Sequence, residues 1–191
     1  MISEGDIPAN MSLFTAYLNS WRDTNDTDRG LAFYTFGYID QDVLTSAGIT
    51  EAQIHYTPID NSQGFWQFPS TSATVNGTSI ALSNNTAIAD TGTTLALVSD
   101  SVCEAIYNAI PGGKLDSQQQ GYVFPSSVTP EQLPVVQFDV GGQLYTLKKE
   151  DLSFADAGNG MSMYSPRSYR TTEADRSRSL RRRAISWTAE L

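Results

Sequence analysis

Ala87-Ile88-Ala89-Asp90-Thr91-Gly92-Thr93-Thr94-Leu95-Ala96-Leu97-Val98 decides how this chain is read. Two apolar runs flank a short turn that carries one acid, one glycine and three hydroxyls. Burying an unpartnered charge costs several kcal/mol, so an acid placed between such runs must be given partners by the fold. Ala87–Ala89 and Leu95–Val98 are expected as strands buried on both faces. Gly92 lets the chain turn tightly, and Thr91, Thr93 and Thr94 offer hydrogen bonds around the carboxylate. A partly buried aspartate on a turn between core strands is a catalytic candidate on physical grounds.

Working outward, Ser72–Val75 and Thr78–Leu82 flank Asn76-Gly77, a strong hairpin signal, and Val135–Val140 with Gln143–Leu147 repeats the pattern around Gly141-Gly142. Leu31–Ile39 and Gln53–Ile59, rich in aromatic and β-branched residues, predict strands, with Asp40–Thr50 a loop between them. Tyr122–Phe124 predicts a short strand, Glu150–Phe154 one helical turn, and Asn159-Gly160 a turn. The clearest helix is Asp100–Ile110. Ser101-Val102-Cys103-Glu104 reads as a capping box, Val102, Ala105, Ile106, Ala109 and Ile110 as its apolar stripe, and Pro111-Gly112-Gly113 as its stop. Phe14, Tyr17, Leu18 and Trp21 are spaced like one apolar face. Short strands and turns dominate, so the fold class is all-β with one or two short helices.

The 191 residues suffice for one hydrophobic core, and 40% hydrophobic with 17% charged residues fits a globular domain. The net charge of −9 is unevenly distributed. After Tyr164 seven arginines stand against three acids, leaving that segment at +4, while the rest holds five basic and eighteen acidic residues and stands at −13. So acidic a body repels nucleic acid, and the arginine run has no interleaved aromatics to stack bases. No apolar run is long enough to span a membrane. Cys103 is the only cysteine and His55 the only histidine, which leaves too few soft ligands for zinc. The acids Asp23, Asp26 and Asp28 lack the glycine and terminal glutamate of a calcium loop. His55 is expected as a strand histidine, since no Gly-x-Ser-x-Gly elbow accompanies it. No cofactor or metal set emerges.

Hydrophobic-hydrophobic-Asp-Thr-Gly-Thr-Thr followed by an apolar run resembles the active-site loop of pepsin-like aspartic proteases (peptidase A1), specifically the loop of their C-terminal lobe. The bare pattern Asp-[Ser/Thr]-Gly-[Ser/Thr] arises by chance in on the order of one chain in a hundred. Its context is more specific. Leu31-Ala32-Phe33-Tyr34-Thr35-Phe36-Gly37-Tyr38-Ile39-Asp40 and Ile54-His55-Tyr56-Thr57-Pro58-Ile59-Asp60 resemble the stretch leading into that lobe, and Gln63-Gly64-Phe65-Trp66-Gln67-Phe68 the strand after it. The resemblance runs from Pro8 to Gly160 and is to secreted fungal members in particular.

It implies one half of a bilobal, double-psi-type β-barrel fold. Residues 1–29 would be an interlobe-like segment and surface turn, 30–164 an incomplete C-terminal lobe, and 165–191 a basic, disordered tail. It also implies hydrolysis of protein or peptide substrates by two aspartates that share a proton across a water; pepsin, within this family, is the standard example. Asp90 would be one of them, with Thr93 holding its outer oxygen. Thr91 would join a network towards the other lobe, Thr94 would contact substrate backbone, and Gly92 would keep the loop tight.

The family's N-terminal lobe, with its own Asp-Thr-Gly, has no counterpart here, nor does the later Gly-Asp segment that crosses behind the loop. The expectation is therefore a truncated or misspliced product, inactive without its partner lobe, whose open strand edges would aggregate. Two alternatives stand beside it: a homodimeric protease pairing two Asp90 loops, and a non-catalytic β-rich binding module. No signal peptide is legible at Met1, yet the resemblance implies secretion. The sequons Asn10-Met11-Ser12, Asn25-Asp26-Thr27, Asn76-Gly77-Thr78 and Asn84-Asn85-Thr86 are compatible with that.

Overall fold

The computed structural model describes residues 4–18, 32–92, 96–118, 121–153, 155–163, 167–168 and 184–185. They fall into two units, residues 1–55 with 188–191, and residues 56–187.

In the first unit, β1 (Phe14–Tyr17) pairs antiparallel with β2 (Phe33–Phe36). Phe14 stands opposite Phe36 and Tyr17 opposite Phe33, and both pairs stack, with ring centroids 6.2 and 5.1 Å apart. Cross-strand aromatic pairs of this kind hold a ladder together. The spacing of Phe14 and Tyr17 therefore belongs to a strand; Trp21 lies outside the described residues.

Asp40–Thr50, expected as a loop, contains α1 (Gln41–Ser46). The Asp40 carboxylate caps it by accepting from the N–H groups of Asp42 and Val43 at 2.9 and 3.2 Å, and Leu44 is its buried residue at 3% exposure.

Gln53–Ile59, expected as a strand, is not one. Glu51–Gln53 is a 3₁₀ turn whose Thr50 N–H donates to the Gln53 side chain at 2.8 Å. Pro58 then lacks the N–H that a ladder needs. His55, half-buried, thus lies in irregular backbone rather than on a strand.

The second unit is built from β3 (Gln67–Pro69), β4 (Ser72–Val75), β5 (Thr78–Ala81), β6 (Thr86–Ala89), β7 (Leu97–Val98), α2 (Asp100–Asn108), β8 (Lys114–Asp116), β9 (Gly121–Pro125), β10 (Val136–Val140), β11 (Gln143–Thr146), β12 (Ala155–Gly158), β13 (Met161–Met163), β14 (Arg167–Ser168) and β15 (Ala184–Ile185). Two four-stranded sheets run in the orders β11-β10-β4-β5 and β12-β13-β9-β8. A third is ordered β15-β6-β3, and β14 pairs with β7.

The hairpins follow the sequence. Asn76 and Gly77 have φ of 49° and 79°, and Gly141 and Gly142 of 58° and 96°, so each two-residue turn carries the paired positive φ that matches strand twist. The expected turn at Glu150–Phe154 is a 3₁₀ turn over Lys149–Leu152.

Helix α2 buries Val102, Cys103, Ile106 and Tyr107 against a core that includes Ala73, Ala87 and Phe138. Its start differs from expectation. Ser99 is the N-cap residue, so Ser101 already lies within the helix and the Ser101–Glu104 box does not form. Burial pushes the Cys103 thiol up to about 12. Among the described residues no helix is long and apolar enough to cross a membrane.

Candidate active site

Strand β6 carries the chain into the turn. Ala87 and Ile88 are buried, at 0% and 7% exposure, and the Ala89 N–H donates to the Trp66 carbonyl at 2.9 Å beside β3. Burial ends there: Ala89 is exposed, Asp90 half-buried, Thr91 and Gly92 exposed. The run is thus not buried on both faces as it nears the turn.

The Gly92 N–H donates to Asp90 Oδ1 at 2.8 Å. A Cβ at Gly92 would lie 3.3 Å from that oxygen, a tight contact that the carboxylate would have to relieve by a few tenths of an ångström. Such an i to i+2 bond fixes the carboxylate over its own turn. Thr93 and Thr94 lie outside the described residues. Beyond them Ala96 and Val98 are buried and tie the turn's far side to α2.

Other polar groups brace this scaffold. Gln67 Nε2 donates to Thr86 Oγ1 at 2.9 Å, and Asn85 Nδ2 to the Ser70 carbonyl at 2.8 Å, joining β3 to β6 by side chains as well as by the ladder. Behind them a cavity of about 20 Å³ is lined by Ser70, Thr86, Leu97, Val98 and Phe138 among others. That volume holds about one water and no substrate. The Ser62 N–H donates to Asp60 Oδ1 at 2.9 Å, and this holds the exposed Asp60 carboxyl below the usual range.

A second notable carboxylate was not singled out in the sequence. Asp139 on β10 is 4% exposed and accepts from Thr71 N–H at 2.7 Å, Thr71 Oγ1 at 2.9 Å and Gly142 N–H at 2.6 Å. Phe138-Asp139-Val140 before Gly141-Gly142 was the available signal, since an acid inside an alternating strand needs partners. Thr71, sixty-eight residues away, could not be read from it.

The family model described as "Eukaryotic aspartyl protease" matches residues 1–167. The aspergillopepsin-1 proteins of Aspergillus pseudoglaucus and Aspergillus oryzae are each 43% identical to this chain over 129 residues, covering 68% of it and 30% of the relative. Penicillopepsin-1 of Talaromyces stipitatus is 36% identical over 126 residues, covering 66% and 30%. The matched stretch thus spans less than a third of the length of these relatives.

Proposed function

The chain belongs to the eukaryotic aspartyl protease family, and from that premise we infer that it supplies Asp90 as one of the two carboxylates of a peptide-hydrolysing centre. The observation that carries this reading is the turn itself: a half-buried aspartate at the exposed end of a core strand, its carboxylate held by the Gly92 N–H within Asp-Thr-Gly-Thr-Thr. In such a centre one ionised aspartate takes a proton from a bound water, which attacks the peptide carbonyl. The other, protonated, donates to the developing oxyanion. Two neighbouring carboxylates cannot both ionise easily, which is what keeps one proton between them.

Asp90 alone titrates as a single acid and cannot share a proton. On this reading residues 30–164 are the C-terminal lobe of an aspartic endopeptidase, residues 1–29 the approach to it, and 165–191 a separate basic segment. The partner is a first lobe carrying the second aspartate. Thr93 supports the outer oxygen of Asp90, Thr91 reaches towards the partner's loop, and Thr94 meets substrate backbone. Secretion fits the fungal relatives, and the acidic body suits work at low pH.

The test is hydrolysis of denatured haemoglobin between about pH 3 and 5, where one member of a carboxyl dyad is protonated. The chain is assayed alone and with the first lobe of an aspergillopepsin-1, beside Asp90→Asn. Turnover only with the added lobe, abolished by Asp90→Asn, is expected. Turnover by the chain alone, abolished by Asp90→Asn, makes it a homodimeric protease instead. Turnover that survives Asp90→Asn removes Asp90 from the chemistry.

A further inference from the structure

The topology places two short stretches from beyond Tyr164 in the fold. Strand β15 runs parallel to β6, with Ala184 opposite Ile88 and Ile185 opposite Ala89. Strand β14 runs parallel to β7, with Arg167 opposite Leu97 and Ser168 opposite Val98. Strands β6 and β7 are the ones that enter and leave the Asp90 turn, so one edge of each is taken by residues from beyond Tyr164. The other edge of β6 belongs to β3; among the described residues β7 has no other strand neighbour.

Two-residue parallel ladders are weak on their own. Charge adds to them: the segment after Tyr164 stands at +4 and the rest of the chain at −13. That attraction acts over about 10 Å at 0.1 M salt and is screened above it.

We propose that β14 and β15 are built-in edge strands that dock on the acidic body. They complete the sheet on both sides of the Asp90 turn, and cover two strand edges that would otherwise pair with another chain. On this proposal those edges are not open, contrary to the expectation of aggregation, and it holds whether or not Asp90 hydrolyses peptides.

The ladder names its own reporter. Amides alternate between the two edges of a strand, and the Ala89 N–H points to Trp66 on the β3 side. The Ile88 N–H therefore faces the edge that β15 takes. Hydrogen exchange at Ile88 is measured in the full chain and in a variant carrying both Ala184→Pro and Ile185→Pro, which removes the β15 donor whichever residue supplies it. The expected result is exchange at least tenfold faster at Ile88, with Ala89 and Phe138 unchanged. Unchanged Ile88 exchange overturns the proposal.

Loss of protection at Phe138 would mean that the variant has unfolded, so the full chain is also followed from about 50 to 500 mM sodium chloride, where screening lengths fall from above to below about 10 Å. Faster exchange at Ile88 alone supports docking assisted by charge, and exchange indifferent to salt overturns it. Ending the chain at Tyr164 is expected to give larger species in sedimentation than the full chain does. A shortened chain that gives no larger species overturns the edge-covering role.

Discussion

Asp139 and Asp90 are the same residue in two regions, and the regions treat them oppositely. Asp139 lies inside the four-stranded sheet, 4% exposed, with donors from Thr71 and Gly142 filling both oxygens. Asp90 lies at the exposed end of β6, half-buried, with the Gly92 N–H on one oxygen. A carboxylate whose lone pairs are taken by fixed donors is part of the frame, because every change to it strands those donors. A carboxylate that keeps a face towards solvent retains access to water, which is what hydrolysis needs. Full burial thus makes Asp139 part of the frame, while partial exposure leaves Asp90 open to the role proposed for it.

The contrast is sharpened first by Asp139→Ala, which strips the acceptor from three donors at once. A loss of about 3 kcal/mol is expected from the stranded partners, read as a lower urea midpoint with unchanged slope. The same hairpin can be attacked through Gly141, whose φ is +58° and where a Cβ would run into the Thr57 side chain. Strain and clash together put Gly141→Ala at about 2 kcal/mol on the same assay. Thr71→Ala removes one of the two Thr71 donors to Asp139, with an expected cost of about 1 kcal/mol.

Asp90→Asn is expected within about 0.5 kcal/mol of the parent chain, as at sites away from the core. A cost matching that of Asp139→Ala would break the contrast outright. The smallest effect concerns Cys103. Its folded pKa, raised by burial to about 12, lies above the unfolded value of 9.0. The folded state therefore holds the proton longer than the unfolded one. Its share of stability is intact below pH 9 and falls as pH rises from there towards 12. A thiol reagent at pH 8 is accordingly expected to label Cys103 only after unfolding.

What could be read in advance was what is decided locally. Asn76-Gly77 and Gly141-Gly142 announce their turns because two successive positive φ values suit few other residues. The apolar runs around Asp90 announce β6 and β7, and the stripe Val102, Ile106, Ile110 announces α2. What escaped was decided by competition or by distance. Ile54–Ile59 has the residues of a strand, but the Thr50–Gln53 capping box and Pro58 win. Asp40 caps a six-residue helix too short to show a period. Ser99 displaces Ser101 as the cap residue because the N-cap lies two residues sooner, with Asp100 in the first turn where the helix dipole favours an acid. The pairing of Thr71 with Asp139 has no local trace at all.

The sheet order β11-β10-β4-β5 sets the sequence in which this fold can assemble. Its outer pairs, β4 with β5 and β10 with β11, are hairpins with two-residue turns, and such units close in about 1–10 μs. The central pair joins Val75 to Val136 and Ala73 to Phe138, so it waits for the whole chain between them, including the Asp90 turn and α2, to be gathered in. Loop closure over that span precedes any gain from the contacts it permits, which makes the β4–β10 seam a late and slow event. Asp139 reaches Thr71 only across that seam. The two hydrogen bonds it accepts from Thr71 therefore slow unfolding and leave the speed of folding untouched.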